Sequence, residues 1–164
     1  MTLKDLLIEE LQDLYDAEHQ LVKALPDLAR AASAEALRAA FESHFEETQN
    51  HISRLDEVFP LLGRRAAGKH CAGIAGIIDE SSKLLSGRDI ESAVRDAGLI
   101  AGAQKAEHYE MCGYGTCASW ARTLGLDRVA ALLETTLEEE KAADQTLSDL
   151  AEQEVNISAT HEGV

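Results

Sequence analysis

Apolar residues recur along the chain at alternating steps of three and four, the spacing that keeps side chains on one face of a helix. Between Leu3 and Ala32, leucines stand at 7, 11, 14, 21, 25 and 28. A second periodic segment follows Ser33, a residue able to cap it, and runs to Phe59, where Pro60 and Gly63 stop it. A third runs from Ile90 to Leu124 with Gly125 as its C-terminal cap residue, and a fourth from Asp127 to Gln153. Pro26 deletes one backbone donor inside the first helix and is expected to bend it. The short joins around Ser33 and Gly125 predict two antiparallel hairpins. Between them, Gly63 to Arg88 carries a short amphipathic stretch from Ile74 to Leu85 and is long enough to cross a bundle. The pattern predicts an all-α four-helix bundle over residues 1–154: two antiparallel hairpins, a crossover and a short extra helix. A polar, flexible tail over 155–164 is expected to follow. An up-down bundle with a folded-up loop is the alternative. The similar shape of the two halves suggests an internal repeat.

Composition supports this reading and narrows the function. The chain has 164 residues, of which 45% are hydrophobic but only 4% aromatic, which suits one helical domain better than a sheet. No apolar run approaches the roughly 18 residues of a membrane span. The N-terminus enters a charged amphipathic pattern directly and lacks a secretory signal, so a cytoplasmic location is expected. A net charge of -15 repels phosphate backbones and excludes a nucleic-acid-binding role. Cys71, Cys112 and Cys117 form no CxxC or zinc-finger spacing and read as reduced thiols.

The chemistry lies where polar residues interrupt the apolar seams. The first seam reads Leu7, Leu11, Leu14, Glu18, Leu21, Leu25, Leu28, and the second Leu37, Phe41, His44, Thr48, His51, Leu55, Val58. In the third, Gln104 and Glu107 break the row from Ala93 to Ala118; in the fourth, Glu140 and Asp144 break the row from Leu126 to Ala151. Each break falls near mid-helix. Glu18 and Glu47, and likewise Glu107 and Glu140, lie at matching distances from their hairpin turns to within a few ångströms at 1.5 Å rise per residue. One glutamate on a helix is ordinarily a solvated residue. Several at one level in a bundle core are different, because each buried unpaired charge costs several kcal/mol. Two divalent cations would compensate them, and oxygen-rich ligands with one or two imidazoles suit iron or manganese, with zinc as an opportunist.

The stretches Asp13-Leu14-Tyr15-Asp16-Ala17-Glu18, Glu46-Glu47-Thr48 with His51, Gln104 to Glu110 and Thr136 to Asp144 resemble the bacterial YciF/YciE stress-protein family, a branch of the ferritin-like superfamily near rubrerythrin. The resemblance covers residues 1 to 155. It implies a ferritin-like bundle with an extra short helix, a homodimer and a two-metal site. Glu18 and Glu107 match the single glutamates of the first and third bundle helices, and Glu47 and Glu140 the bridging glutamates of the second and fourth. The superfamily places a histidine three residues after each bridging glutamate. Asn50 and Ala143 stand there instead. His51 and Asp144, one residue further on, share the face and are the substitutes, while His44, three before Glu47, competes with His51 as ligand. Glu110, one turn from Glu107, is either an added ligand or a surface residue.

The leading expectation is a di-iron or di-manganese carboxylate centre that oxidises iron(II) or reduces peroxide, with dioxygen or peroxide as oxidant. The alternative is a non-enzymatic dimeric stress protein that binds metal for stability. Tyr15, Tyr109 and Tyr114 lie within about two turns of the proposed ligands and read as core rings rather than electron carriers.

Overall fold

A computed structural model describes residues 1–87 and 90–161, and among these every regular element is helical. The four long helices are α1 (Leu3–Ala31), α2 (Glu35–Leu61), α4 (Ser92–Thr123) and α5 (Asp127–Leu150), and α3 (Ala72–Ser86) occupies the crossover. Arg88, the expected end of the crossover, lies outside the described residues. No helix among the described residues is long and apolar enough to cross a membrane.

Helix α1 packs on α2 and α4, and α5 packs on α2 and α4, so the four long helices enclose one interior, while α3 lies against α1 and α4. The start of α1 (Leu7, Leu11, Leu14) shares one apolar cluster with the end of α4 (Tyr114, Cys117, Ala121), the end of α2 (Leu55, Val58) and the start of α5 (Val129, Leu133). The other end of the interior gathers Leu21, Leu25, Leu28, Leu37, Phe41, Leu99, Ile100 and Leu147. Every predicted seam residue of α1 and α2 is buried. Helix α4 buries a broader surface than one seam, because α3 covers a further face of it.

The local devices differ from expectation in three places. Ser33 does not cap α2; Ala34 precedes the first turn with no side-chain cap of its own. The buried carboxylate of Asp96, on α4, accepts instead from the Ser33 amide at 2.9 Å and the Ala34 amide at 2.7 Å. A distant acid thus does the work of a local hydroxyl and ties the first hairpin to the second. We expect Asp96→Ala to cost about 2 kcal/mol, since it removes a buried charged acceptor from two backbone amides. That corresponds to a melting temperature lower by roughly 4–8 °C. Helix α2 also continues through Pro60 to Leu61 before Gly63 ends it at φ 72°, and Gly125 ends the α4 turn at φ 71° as read from the sequence. Thirdly, the segment expected as a tail is ordered at its start. A π-helical turn (Ala151–Val155) and α6 (Asn156–Ala159) follow α5, and Val155 is buried in the upper core, because α4 extends far enough to pack on them. Residues 162–164 of the expected tail lie outside the described residues.

The crossover is held by a polar knot. Cys71 precedes α3 and its thiol donates to Asp13 Oδ2 at 3.0 Å. Its amide donates to Asp16 at 2.8 Å, and the Tyr109 hydroxyl donates to the same Asp13 oxygen at 2.7 Å. Gly73 lets α3 lie close over α4, since a Cβ there would stand 2.5 Å from the Tyr109 ring. Burial, reinforced by the Asp13 contact, pushes the Cys71 thiol pKa up, so this cysteine is a structural thiol and not a thiolate nucleophile.

Candidate metal centre

A polar layer separates the two apolar clusters. Glu18 comes from α1, His44, Thr48 and His51 from α2, Glu107 and Glu110 from α4, and Thr136 and Glu140 from α5, and all are buried. Helix periodicity selects them: His44, Thr48 and His51 are spaced four and three, and Glu107 and Glu110 lie one turn apart with Tyr114 a further turn on.

Within the layer two triads of ligating atoms form, Glu18 with His51 and Glu140, and His44 with Glu107 and Glu140; the atoms of each lie within 4.8 Å of one another. Glu140 belongs to both. His51 Nδ1 stands 3.3 Å from Glu18 Oε1 and 3.1 Å from Glu140 Oε1, close enough for an ion pair, yet neither contact has hydrogen-bond geometry. His44 Nε2 stands 3.2 Å from Glu107 Oε1 and 3.7 Å from Glu140 Oε2. Among the described residues, buried side-chain atoms without a hydrogen-bond partner are concentrated here: Glu18 Oε2, His51 Nδ1, Glu107 Oε2 and both oxygens of Glu110 and of Glu140. Buried polar atoms normally find partners, so such a group of orphans facing one space is the signature of a cation site.

Each histidine is aimed by its other nitrogen. His51 Nε2 lies 3.0 Å from Glu139 Oε2, and Arg54 holds that carboxylate with bonds of 2.8 and 3.1 Å. His44 Nδ1 lies 3.3 Å from Glu47 Oε2. A carboxylate on the outer nitrogen fixes the tautomer and leaves the inner nitrogen as the donor atom for a metal. The Tyr114 hydroxyl donates to Glu18 Oε1.

The electrostatics report the crowding. Burial pushes the Glu110 carboxyl well above the usual range, and the charges of Glu18, Glu140 and Glu107 push it further. Burial likewise raises Glu140 to about 8, against the opposing pull of the nearby His51 imidazole. Burial would depress the two imidazoles, but the surrounding carboxylates overcome it, raising His51 to about 10 and His44 well above its usual value. Glu140 and His51 therefore hold protons near neutral pH, and Glu110 and His44 are shifted in the same direction.

Of the sequence-predicted site residues, Glu18, His44, His51, Glu107, Glu110 and Glu140 meet in this layer. Glu47 and Asp144 do not. Glu47 sits at the margin, its side chain 41% exposed, and faces the outer nitrogen of His44. Asp144 lies one turn beyond Glu140, where Gln104 donates to it at 3.1 Å and His108 approaches at 3.3 Å. A step of four residues turns roughly 40° past a full revolution and rises about 6 Å, enough to carry Asp144 out of the layer. The alternatives His44 and His51 are both in place, one in each triad. Glu110 is fully buried, not a surface residue. Sequence reasoning missed Glu139 and Arg54, although their one-turn relation to Thr136 and His51 was a usable signal.

Comparison with known proteins shows which ones this chain is similar to. Residues 2–160 match the family described as a domain of unknown function, DUF892. Protein YciF of Escherichia coli K12 is 45% identical over 159 residues, 96% of this chain and 95% of that protein. The crystal structure of the E. coli stress protein YciF superposes with a TM-score of 0.90 over 95% of this chain and 98% of that one. YcfI of Rhodopseudomonas palustris is 43% identical, with a TM-score of 0.87 over 90% of this chain and 94% of that one. A Xanthomonas campestris protein at 21% identity and TM-score 0.75, covering 99% of this chain and all of that one, shares the fold.

Proposed function

This chain belongs to the DUF892 family, which matches residues 2–160, and on that footing we infer that it is a ferritin-like di-metal carboxylate protein, acting in stress defence by oxidising iron(II) or reducing peroxide. The observation that carries this reading is the pair of buried triads sharing Glu140, with four of their carboxylate oxygens unpartnered. Glu18 and His51 would hold one ion and His44 and Glu107 the other, with Glu140 between them and Glu110 beside them. A donor set of four carboxylates and two imidazoles suits iron or manganese, and tolerates zinc. When bound, such a pair supplies two one-electron oxidations, matching the two electrons that, with two protons, convert one hydrogen peroxide to two waters.

The protein's own groups do the rest. Glu139 and Glu47 orient the imidazoles, the two apolar clusters exclude bulk water above and below, and Tyr114 holds one oxygen of Glu18 in place. A homodimer in the cytoplasm is part of the same reading. The second reading, a metal-stabilised structural protein, is favoured by the structural role suggested for YcfI.

Metal analysis of purified protein, followed by iron(II) and air, separates the two. Two ions per chain with rising near-ultraviolet ferric absorption, or peroxide consumption, support the redox reading; two ions with neither support the structural one. Glu47→Gln should keep two ions but weaken one about 10–100-fold, as expected when the carboxylate that aims a ligating histidine is lost. Asp144→Asn should leave both affinities unchanged in the same titration.

A further inference from the structure

Two cavities converge on one half of the metal centre. The first, about 380 Å³, lies between α1, α3 and α4. Its walls are apolar, with Leu21, Leu25, Ile77 and Ala103 among them; Lys23 and Asp27 are exposed at its mouth, and the buried His44 and Glu107 line its inner end. The second, about 120 Å³, lies between α2 and α5 and reaches the same His44 and Glu107. The side chains of these two residues retain 9% and 4% exposure, whereas those of Glu18 and His51 retain none. Tyr114 covers Glu18, and the Arg54–Glu139 pair covers the outer nitrogen of His51.

We propose that the cavity between α1, α3 and α4 binds a small uncharged molecule with an apolar body, which meets the metal centre at the His44–Glu107 position and leaves the Glu18–His51 position closed. The volume falls in the small-molecule range of roughly 300–1,000 Å³ and is too small for a partner helix. Apolar walls reward the burial of hydrocarbon. Anions are disfavoured, since the inner end faces the acidic layer and the chain carries a net charge of -15. An oxygen or nitrogen atom at one end of the guest would reach the polar inner end formed by His44 and Glu107. The second half of the proposal rests on the two-metal reading; the first half does not.

The test has two arms. In the first, the neutral fluorophore N-phenyl-1-naphthylamine is titrated into the metal-free full chain. A saturable rise in emission is expected, weakened at least tenfold in Ala103→Phe, which fills the cavity from α4, and in Ala24→Trp, which fills it from the half-buried wall of α1. Circular dichroism checks that each variant is folded, and either variant alone suffices. No saturable rise in the wild type, or unweakened binding in a folded variant, overturns the cavity assignment. In the second arm, cobalt(II) affinity is measured with imidazole added to His44→Ala and to His51→Ala. Imidazole should restore affinity at least tenfold in the first and not in the second, and Ala103→Phe should block the rescue. Rescue of both, of neither, or of His51→Ala alone overturns the assignment of the open position. Wild-type protein that binds no cobalt overturns the two-metal reading and this second half together, while the fluorophore arm still decides the cavity.

Discussion

Glu140→Gln is expected to abolish both metal positions at once while making the metal-free protein more stable at pH 8. Glu140 is the residue common to both triads, so an amide there removes the shared anionic ligand without opening a cavity. At metal concentrations that saturate the wild type, the variant should bind fewer than one ion per chain. Each ion at a hundred times its dissociation constant stabilises a fold by about 2.7 kcal/mol, so two contribute roughly 5 kcal/mol. For a chain of this size that is a rise of roughly 10–20 °C in melting temperature, which the variant should lose. Without metal the sign reverses. Burial and the neighbouring Glu107 and Glu18 hold the Glu140 pKa at about 8, so near that pH the wild type must either bury another charge or take up a proton, and the amide does neither. Paired melting curves with and without metal check both halves. A variant that retains two ions, or is destabilised in both states, contradicts the central role of Glu140.

The second large effect couples protons to metal. Glu110, Glu140, His44 and His51 all have raised pKa values, so the metal-free protein holds up to four protons in the layer near neutral pH. Metal binding must displace them, because ligands bind as carboxylate and neutral imidazole. Calorimetry in buffers of different ionisation enthalpy should therefore report proton release of up to four per chain at pH 7, and metal affinity should climb with pH. Stability of the metal-free chain should move the other way. Glu140 keeps its proton in the fold up to about 8 but loses it near 4.5 when unfolded, and His51 keeps its proton up to about 10 against 6.5. In both cases the folded state binds more protons than the unfolded state as pH rises through that window, so stability falls between about pH 4.5 and pH 10. The metal-free melting temperature should be lower at pH 9 than at pH 6, and saturating metal should remove or invert the difference. An unchanged or higher metal-free melting temperature at pH 9 would count against the crowded layer.

Glu47 and Asp144, the two expected ligands that lie outside the layer, sit one turn from residues inside it. The seams of α1 and α2, read residue by residue, already contained Glu18, His44 and His51, and all three lie inside. Glu47 was expected from its matching height and from the resemblance, and Asp144 from its place in the fourth seam and as a stand-in for an absent histidine. Here α2 contributes two imidazoles two turns apart, and the extra carboxylate comes from α4 as Glu110. The total of donors is kept, but they are shared out differently among the helices. Matching heights and a shared seam therefore bring a side chain to within one turn of the layer without fixing its rotation into it.

What the sequence determined by itself was whatever depends on neighbours along one helix: the apolar stripes, the helix stops at Gly63 and Gly125, and the mid-helix level at which acids and histidines face inward. These are set within a few residues, by a 3.6-residue period and by backbone conformations that glycine alone adopts easily. The tertiary structure alone decided what depends on rotation between helices. It brought Asp96 onto the start of α2, turned Glu47 to the outer nitrogen of His44, placed Glu140 between two triads, and let α3 border a cavity ending at His44 and Glu107. A helix turned by a few tens of degrees keeps its sequence pattern yet moves a carboxylate oxygen by several ångströms, which is the whole difference between a ligand and the residue that orients one.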